Sequence, residues 1–270
     1  MGKNRIFAVY MLLCLVSFSG CSRREIRGEP RNLQDLNGRA LGLLVSPALV
    51  EPQDIRDYGG FLPSEVRAFS TSSELLTALK TKRVDAMLTT VETSRFLISA
   101  DEALNIIPAD RPGDGLRMIL RDTDAALLEE LNSGIAILRA EGALDRLYEQ
   151  YIANVTVDHL AAAPAQLPRI EGAQTILVGI NGDLPPYDYI SADGKPAGFN
   201  VALMGELGRT LGKNIQFVAI PSEARFSALL SKNTRRMDLF FWFYGRLNID
   251  SLALTDAYAR VDECVLVRKE

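Results

Sequence analysis

The chain has 270 residues, 47% of them apolar and 24% charged, with a formal net charge of -4. This is the balance of a globular protein with one large domain or two ordinary ones, and the lack of a basic excess excludes nucleic acid as an expected partner. One histidine and three cysteines give no basis for a multi-histidine metal site or a Cys/His nucleophile pair, so neither metal nor cofactor is expected.

Residues 1–21, "MGKNRIFAVYMLLCLVSFSGC", place Lys3 and Arg5 before an apolar run from Ile6 to Val16 and small residues before Cys21. This is the layout of a cleaved export signal, and the run is too short for an ordinary transmembrane helix. Phe18-Ser19-Gly20-Cys21 resembles a bacterial lipobox, with Phe18 where Leu is usual, so lipidation of Cys21 is expected; a plain secretory signal cut elsewhere is the alternative. The resemblance implies a lipid-anchored protein on the periplasmic side of the cell envelope, at the inner or outer membrane. With Cys14 in the signal and Cys21 acylated, Cys264 is the one free thiol, which excludes an intramolecular disulfide in the mature chain.

After a polar leader, residues 33–152 alternate strand and helix patterns. "RALGLLV" (39–45) predicts a buried strand and "SSELLTALKTKRV" a helix with Leu75, Leu76 and Leu79 on one face, capped by Ser72 or Ser73. "DAMLTTV", "ALNIIPA" and "GLRMILR" predict further strands. Two helices follow, carrying Leu127, Leu128, Leu131, Ile135 and Leu138, then Leu144, Leu147 and Tyr151 after a break at Gly142. Residues 153–174, rich in Ala with Pro164 and Pro168, predict a semi-rigid linker with His159 at its surface. From 175 to 270 the α/β rhythm restarts: the strand "TILVGI", a turn-rich Pro-Pro loop, a helix over 200–211, the strand "IQFVAI", a short helix, the aromatic strand "DLFFWFYG" and a last strand "DECVLVRKE".

"ILVGINGDLPPYDYISADGKPAGFNVALMGELGRTLGKNIQFVAI", "ALLSKNTRRMDLFF" and "LALTDAY" resemble the first lobe of type II periplasmic solute-binding proteins, in the extracellular family 3 that includes polar amino-acid receptors. "DLNGRALGLL", "ELLTALKTKRVDAMLT" and "ALLEELNSGIAILRAEGALDRLYEQYI" are similar to that family's second lobe and terminal helices. The resemblance implies a two-lobed α/β fold of the type II periplasmic-binding-protein kind with its lobe order circularly permuted. Residues 33–152 would be lobe two with the terminal helices, 153–174 a linker joining the ancestral termini, and 175–270 lobe one, with the new termini near the hinge. A tandem of two truncated binding proteins is the alternative.

The resemblance also implies a ligand cleft between the lobes. Tyr187 and Tyr189 fall on its lobe-one wall, where the family covers its ligand with an aromatic ring. Arg246 is the nearest candidate for the arginine that pairs with a ligand carboxylate. Trp242 and Tyr244 alternate with Phe243 along one strand, so they share a face and are candidate lining residues. Ser46 stands where the family places Gly-Thr donors, followed by Pro47, which has no N–H. Thr90 stands where the family's aspartate holds the α-ammonium. These departures argue against an ordinary zwitterionic amino acid and for a more apolar or aromatic ligand.

The expected function is capture of a small molecule without chemistry, for the permease of an ABC-type importer. Two alternatives remain. One is a lyase or dehydratase on the same fold, for which Glu92, Asp183 and Asp188 are the available carboxylates; the other is a degenerate module that binds a protein partner.

Overall fold

The computed structural model describes residues 28–44, 60–109, 113, 115–153, 155–156, 167–231, 236–242 and 250–269. Their strands form two five-stranded sheets and one small hairpin sheet. The first sheet contains β1 (Ala40–Leu43), β2 (Glu65–Ala68), β3 (Ala86–Thr90), β4 (Leu104–Pro108) and the last strand, β13 (Glu263–Arg268), in the order β2-β1-β3-β13-β4. The second contains β5 (Arg117–Arg121), β6 (Thr175–Ile180), β10 (Asn214–Ala219), β11 (Leu239–Trp242) and β12 (Leu252–Leu254), in the order β10-β6-β11-β5-β12. β7 (Asp183–Leu184), β8 (Asp188–Ile190) and β9 (Pro196–Ala197) make the hairpin sheet.

The two large sheets repeat one plan. In each, the first three strands run parallel and the fourth position is taken by a strand antiparallel to its neighbours: β13 against β3 and β4, β5 against β11 and β12. β1 and β3 are buried at every position, as expected of parallel strands with both faces covered. This is the two-lobed α/β fold of type II periplasmic binding proteins. The expected division at 152 and 175 is not how the sheets divide, because the lobes exchange a strand: β5 joins the sheet of β6, β10 and β11, and β13 joins the sheet of β1 to β3.

The chain therefore passes between the lobes twice, before β5 and before β13. The two crossings touch as a bridge between Leu116 and Ala259, the Leu116 N–H donating to the Ala259 carbonyl at 2.8 Å and the Tyr258 N–H to the Leu116 carbonyl at 2.9 Å. They lie so close that a Cβ on Gly113 would sit 1.9 Å from the Val261 carbonyl oxygen, and Gly115 takes φ +85. Both positions need glycine.

The outer ends of β1 and β13 lie away from these crossings. Leu41 pairs with Ala86, and Ala86 pairs with Val267, so all three share one row of the sheet. Glu263, where β13 enters from the crossing, pairs with Thr90 at the sheet's opposite end. The expectation of termini near the hinge is thus corrected: the start of β1 and the end of β13 lie at the far pole of lobe two, two strand spacings or about 10 Å apart.

Among the described residues six α-helices cover the sheets. α1 (Ser72–Lys80) and α2 (Val91–Ala100) belong to lobe two; α3 (Ala125–Ala140), α4 (Ala143–Tyr148), α5 (Phe199–Leu211) and α6 (Arg225–Leu230) belong to lobe one. α1 buries Leu75 and Leu79 as its periodicity predicts, but its cap is Thr71, whose hydroxyl accepts the Glu74 N–H at 3.2 Å. Ser72 and Ser73 are inside the helix. α3 lies on α5 at Gly134, where a Cβ would meet Leu207 at 2.8 Å. At the end of the expected linker, Pro168 packs over Gly208, and Ile170 exchanges two hydrogen bonds with the Asn214 side chain. His159 lies outside the described residues.

Candidate functional site

The carboxyl ends of the parallel strands in each lobe point toward the other lobe, which is where loops and helix N-termini of open α/β sheets meet ligands. On the lobe-one side the chain leaves β6 at Ile180 and folds over the buried carboxylate of Asp188. Its Oδ1 accepts the Asn181 N–H at 2.8 Å and the Gly182 N–H at 3.1 Å, and its Oδ2 accepts from Asn200 Nδ2 at 3.4 Å. Asn200 Oδ1 in turn accepts from the Tyr258 hydroxyl at 2.9 Å. Burial raises the pKa of Asp188, against the pull of Arg225 and these donors.

Gly198 closes the loop with φ +106, and a Cβ there would lie 2.5 Å from the Tyr187 carbonyl oxygen. The backbone so fixed carries two side chains, Asp183 and Tyr187, toward lobe two. Below them Arg225 donates to Ser222 Oγ at 2.7 Å and to Asn181 Oδ1, and its guanidinium lies 5.7 Å from the centre of the Phe240 ring.

Lobe two presents the N-termini of α1 and α2. Thr90 caps α2, its hydroxyl accepting the Thr93 N–H at 3.2 Å, and Glu92 sits in the first turn, where the helix dipole favours an anion. The lobes meet through these groups. The Ser73 N–H in the first turn of α1 donates to Asp183 Oδ2 at 3.0 Å. The Tyr187 hydroxyl donates to Glu92 Oε2 at 3.1 Å and lies 3.0 Å from Thr90 Oγ1, while the Tyr148 hydroxyl donates to Glu92 Oε1 at 3.2 Å. A backbone bond from Ser222 N–H to the Ser70 carbonyl at 3.2 Å completes the contact.

Tyr187 is fully buried, and burial, then the charge of Glu92, push its pKa well up. The same two causes push Tyr148 up to about 12. A phenol held protonated in this way donates to Glu92 across the physiological range.

Of the residues named from sequence, Tyr187 and Thr90 are in direct contact across the lobes. Tyr189 is buried in β8, two residues beyond Tyr187, and burial raises its pKa. Trp242 is 8% exposed and packs edge-to-face on Phe226, 5.9 Å between ring centres, in the apolar cluster that holds Phe240, Leu229 and Ala228. Tyr187 belongs to a different cluster, with Phe199, Met204 and Tyr258. Ser46, Tyr244, Arg246 and Cys21 lie outside the described residues.

The three carboxylates noted from sequence take distinct places: Asp188 organises the loop from inside, while Glu92 and Asp183 stand at the lobe junction. Sequence reasoning gave no role to Tyr148, Ser222, Asn181 or Arg225, and named Ser73 only as a candidate helix cap. The run "STSSE" at 70–74 was a usable signal for an exposed helix N-terminus; nothing in the sequence signals that Tyr148, 56 residues from Glu92, shares its carboxylate.

A second concavity, about 740 Å³, lies at the opposite ends of the lobe-one strands, between Arg121, Asp124, Lys213 and Asp238. Its Arg121 is engaged by the Leu229 and Met237 carbonyls and by Asp124 and Asp238. Cys264 is buried 3.1 Å from Ser94 Oγ, and burial pushes its thiol up to about 12. Among the described residues no helix is long and apolar enough to cross a membrane.

Residues 176–270 match the model of the bacterial extracellular solute-binding proteins, family 3. No curated protein matches the sequence. Among solved structures, the chain is similar to the ligand-binding component of an ABC-type import system from Staphylococcus aureus, crystallised with zinc bound, at 10% identity and TM-score 0.41, covering 86% of this chain and 66% of that one. It is similar to the VFT2 domain of BvgS from Bordetella pertussis at 12% identity and TM-score 0.36, covering 85% and 80%. It is also similar to CbnR, a LysR family transcriptional regulator, at 10% identity and TM-score 0.42, covering 87% and 64%. The chain thus spans less than two thirds of the import component and of CbnR.

Proposed function

With a two-lobed fold of the type II periplasmic-binding kind, and residues 176–270 matching extracellular solute-binding family 3, we propose that this protein captures a small solute between its lobes and releases it unchanged. The observation that carries this reading is the meeting of the two lobes through strand-end loops and helix N-termini, with two narrow backbone crossings among the described residues to hinge them. Hinge closure over a solute needs that combination. Tyr187 and Thr90 are the proposed binding residues in contact across the junction, with Tyr189, Trp242, Tyr244, Arg246 and Ser46 as further candidates. An apolar or aromatic solute is favoured by the loss of the ammonium partner at Thr90.

In this reading the solute passes to the permease of an ABC-type importer, and Cys21 carries the lipid that holds the protein at the periplasmic face of the envelope. Circular permutation is supported by the shared plan of the two sheets and by the approach of β13's end to β1's beginning at one pole, where a short loop would restore the ancestral order.

Thermal stabilisation across a library of small metabolites tests the proposal, because a solute that binds the native state raises its melting temperature. Stabilisation by a member without turnover is the expected result. Turnover of a stabilising compound would favour the lyase reading instead. A second reading, a module that binds a protein partner and no solute, is favoured by the direct contact of the lobes through their own side chains; it predicts no stabilising compound at all.

A further inference from the structure

The second crossing is fixed to lobe one as far as Tyr258. The Asp256 N–H donates to Asn132 Oδ1 of α3 at 2.8 Å, Arg139 Nη2, from the last turn of α3, donates to the Ala257 carbonyl at 2.5 Å, and the Tyr258 N–H donates to the Leu116 carbonyl at 2.9 Å. Lobe two takes hold at Asp262, whose carbonyl accepts the Val91 N–H at 2.9 Å and whose side chain lies 3.5 Å from the Gly113 N–H; β13 begins at the next residue. Ala259 to Val261 lie between these two anchors, packed against Gly113 and Gly115 of the first crossing. A change of angle between the lobes is absorbed at such a short stretch, where the hold of one lobe ends and that of the other begins.

A cavity of about 390 Å³ lies against this stretch, walled by Gly113 and Gly115, by Ala259 and Arg260, and by Arg139 and Asp145 from the helices of lobe one. Its volume is that of a pocket for a small molecule. The charged side chains in its wall are two guanidinium groups and one carboxylate, a net positive lining. Arg139 gives one N–H to Ala257 and keeps others. Arg260 is 72% exposed and its Nε stands 3.7 Å from Asp262 Oδ1, longer than a hydrogen bond, so its donors are available too. A guanidinium stays charged throughout the physiological range and presents a planar fork of donors that matches an oxyanion. We propose that this cavity is a second binding site, which takes a small oxyanion, a phosphate or a carboxylate, between Arg139 and Arg260 and stiffens the hinge. Arg139 belongs to a lobe-one helix and Arg260 to the bending stretch, so the distance between them depends on the angle of the lobes. An anion held by both prefers one angle, and by linkage it favours that angle in return. The lone carboxylate, Asp145, opposes the anion, which makes contact with both arginines necessary. The site shares no residue with the contacts that join the lobes at Tyr187 and Asp183, and it does not rest on solute capture.

The test uses the full chain, with sodium phosphate and sodium succinate as separate probes and sodium chloride at equal ionic strength as the control. Titration calorimetry is expected to show saturable binding of at least one of the two oxyanions, and which one saturates tells phosphate from carboxylate. Arg139→Gln and Arg260→Gln should each weaken that binding by about tenfold or more, the scale of one charge-assisted hydrogen bond. Arg139→Gln also removes the bond to Ala257, so Arg260→Gln, on an exposed side chain, guards against a variant that merely loosens the fold; its circular dichroism and melting temperature without anion should match wild type. Hydrogen exchange of the backbone amides at 115–116 and 257–262 should slow in anion-saturated wild type and not in Arg260→Gln, while exchange in α1 and α5 stays unchanged. No saturable binding of either oxyanion, binding undiminished in both variants, or crossing amides that exchange no more slowly at saturation would each overturn the proposal. No solute enters the experiment, so failure here leaves solute capture to be judged by the metabolite screen.

Discussion

Replacing Tyr187 by Phe removes one oxygen and leaves a ring of nearly the same size in a site that is fully buried. Two hydrogen bonds go with it, one to the Glu92 carboxylate at 3.1 Å and one with Thr90 Oγ1 at 3.0 Å. A bond to a charged group contributes about 1.5–3 kcal/mol and a neutral one about 1 kcal/mol. Glu92 keeps its bond from Tyr148, and Thr90 keeps its bond from the Thr93 N–H, so neither partner is stranded and the lower end of the sum applies, about 2.5 kcal/mol. For a chain of this size that is a fall in melting temperature of about 5–10 °C. Differential scanning calorimetry of Tyr187→Phe, Glu92→Gln and the double variant reads the loss and the coupling between the two side chains. A double variant whose loss equals the sum of the singles would refute the idea that the two lobes are joined through this hydroxyl.

Alkaline stability follows from the tyrosines. Folding raises Tyr187 and Tyr258 well above the ordinary 10.0 and Tyr148 to about 12. The folded state therefore holds these protons more tightly than the unfolded chain does, and the stability they contribute is full below pH 10 and lost as pH rises through the folded values. Melting temperature should fall from pH 10 upward, and phenolate absorbance should show these three tyrosines ionising later than exposed ones; their reversible titration near pH 10 in folded protein would contradict this. Gly198→Ala must move a Cβ away from the Tyr187 carbonyl at 2.5 Å and should cost about 1–3 kcal/mol or more by urea unfolding, whereas Gly172→Ala, where no atom lies within 4 Å of the new methyl, should cost less. Cys264 should resist a thiol reagent in native protein and react on unfolding, because its thiolate is disfavoured by burial. A rearranged gene that joins residue 269 to residue 33 and opens within 157–166 should give a folded protein with a similar melting temperature; an insoluble or molten product would count against permutation.

The strands were legible where burial selects a short, mainly apolar run: "ALGL", "AMLTT", "TILVGI" and "ECVLVR" all lie within their predicted segments. α2 was not, because Thr93, Ser94 and Ser99 dilute its apolar face and its cap, Thr90, doubles as the last residue of β3. β2 was hidden by its half-exposed, charged sequence Glu65–Ala68, and β12 by having only three residues. At the junction, Tyr187 could be named because the Pro-Pro-aromatic loop is a local pattern. That it meets Thr90 and Glu92, themselves named from sequence, could not be read there: Glu92 lies 95 positions earlier, Tyr148, which shares its carboxylate, sits on another element, and only the packed lobes bring them together. The N-cap of α1 was missed by one residue because a run of Ser and Thr offers several equivalent hydroxyls, and the choice is settled by where the chain turns from β2.

The exchange of β5 and β13 sets an order of assembly. β3 and β4 do not pair with each other; in the finished sheet each is bonded to β13, which comes after all the other described strands. The sheet that is begun first is therefore completed only after the other sheet's strands have been made, and until β13 arrives, β3 and β4 each carry an open edge of the kind that recruits stray strands. Contacts so remote along the chain close slowly. Deleting Glu263–Arg268, which removes β13, would leave both edges bare.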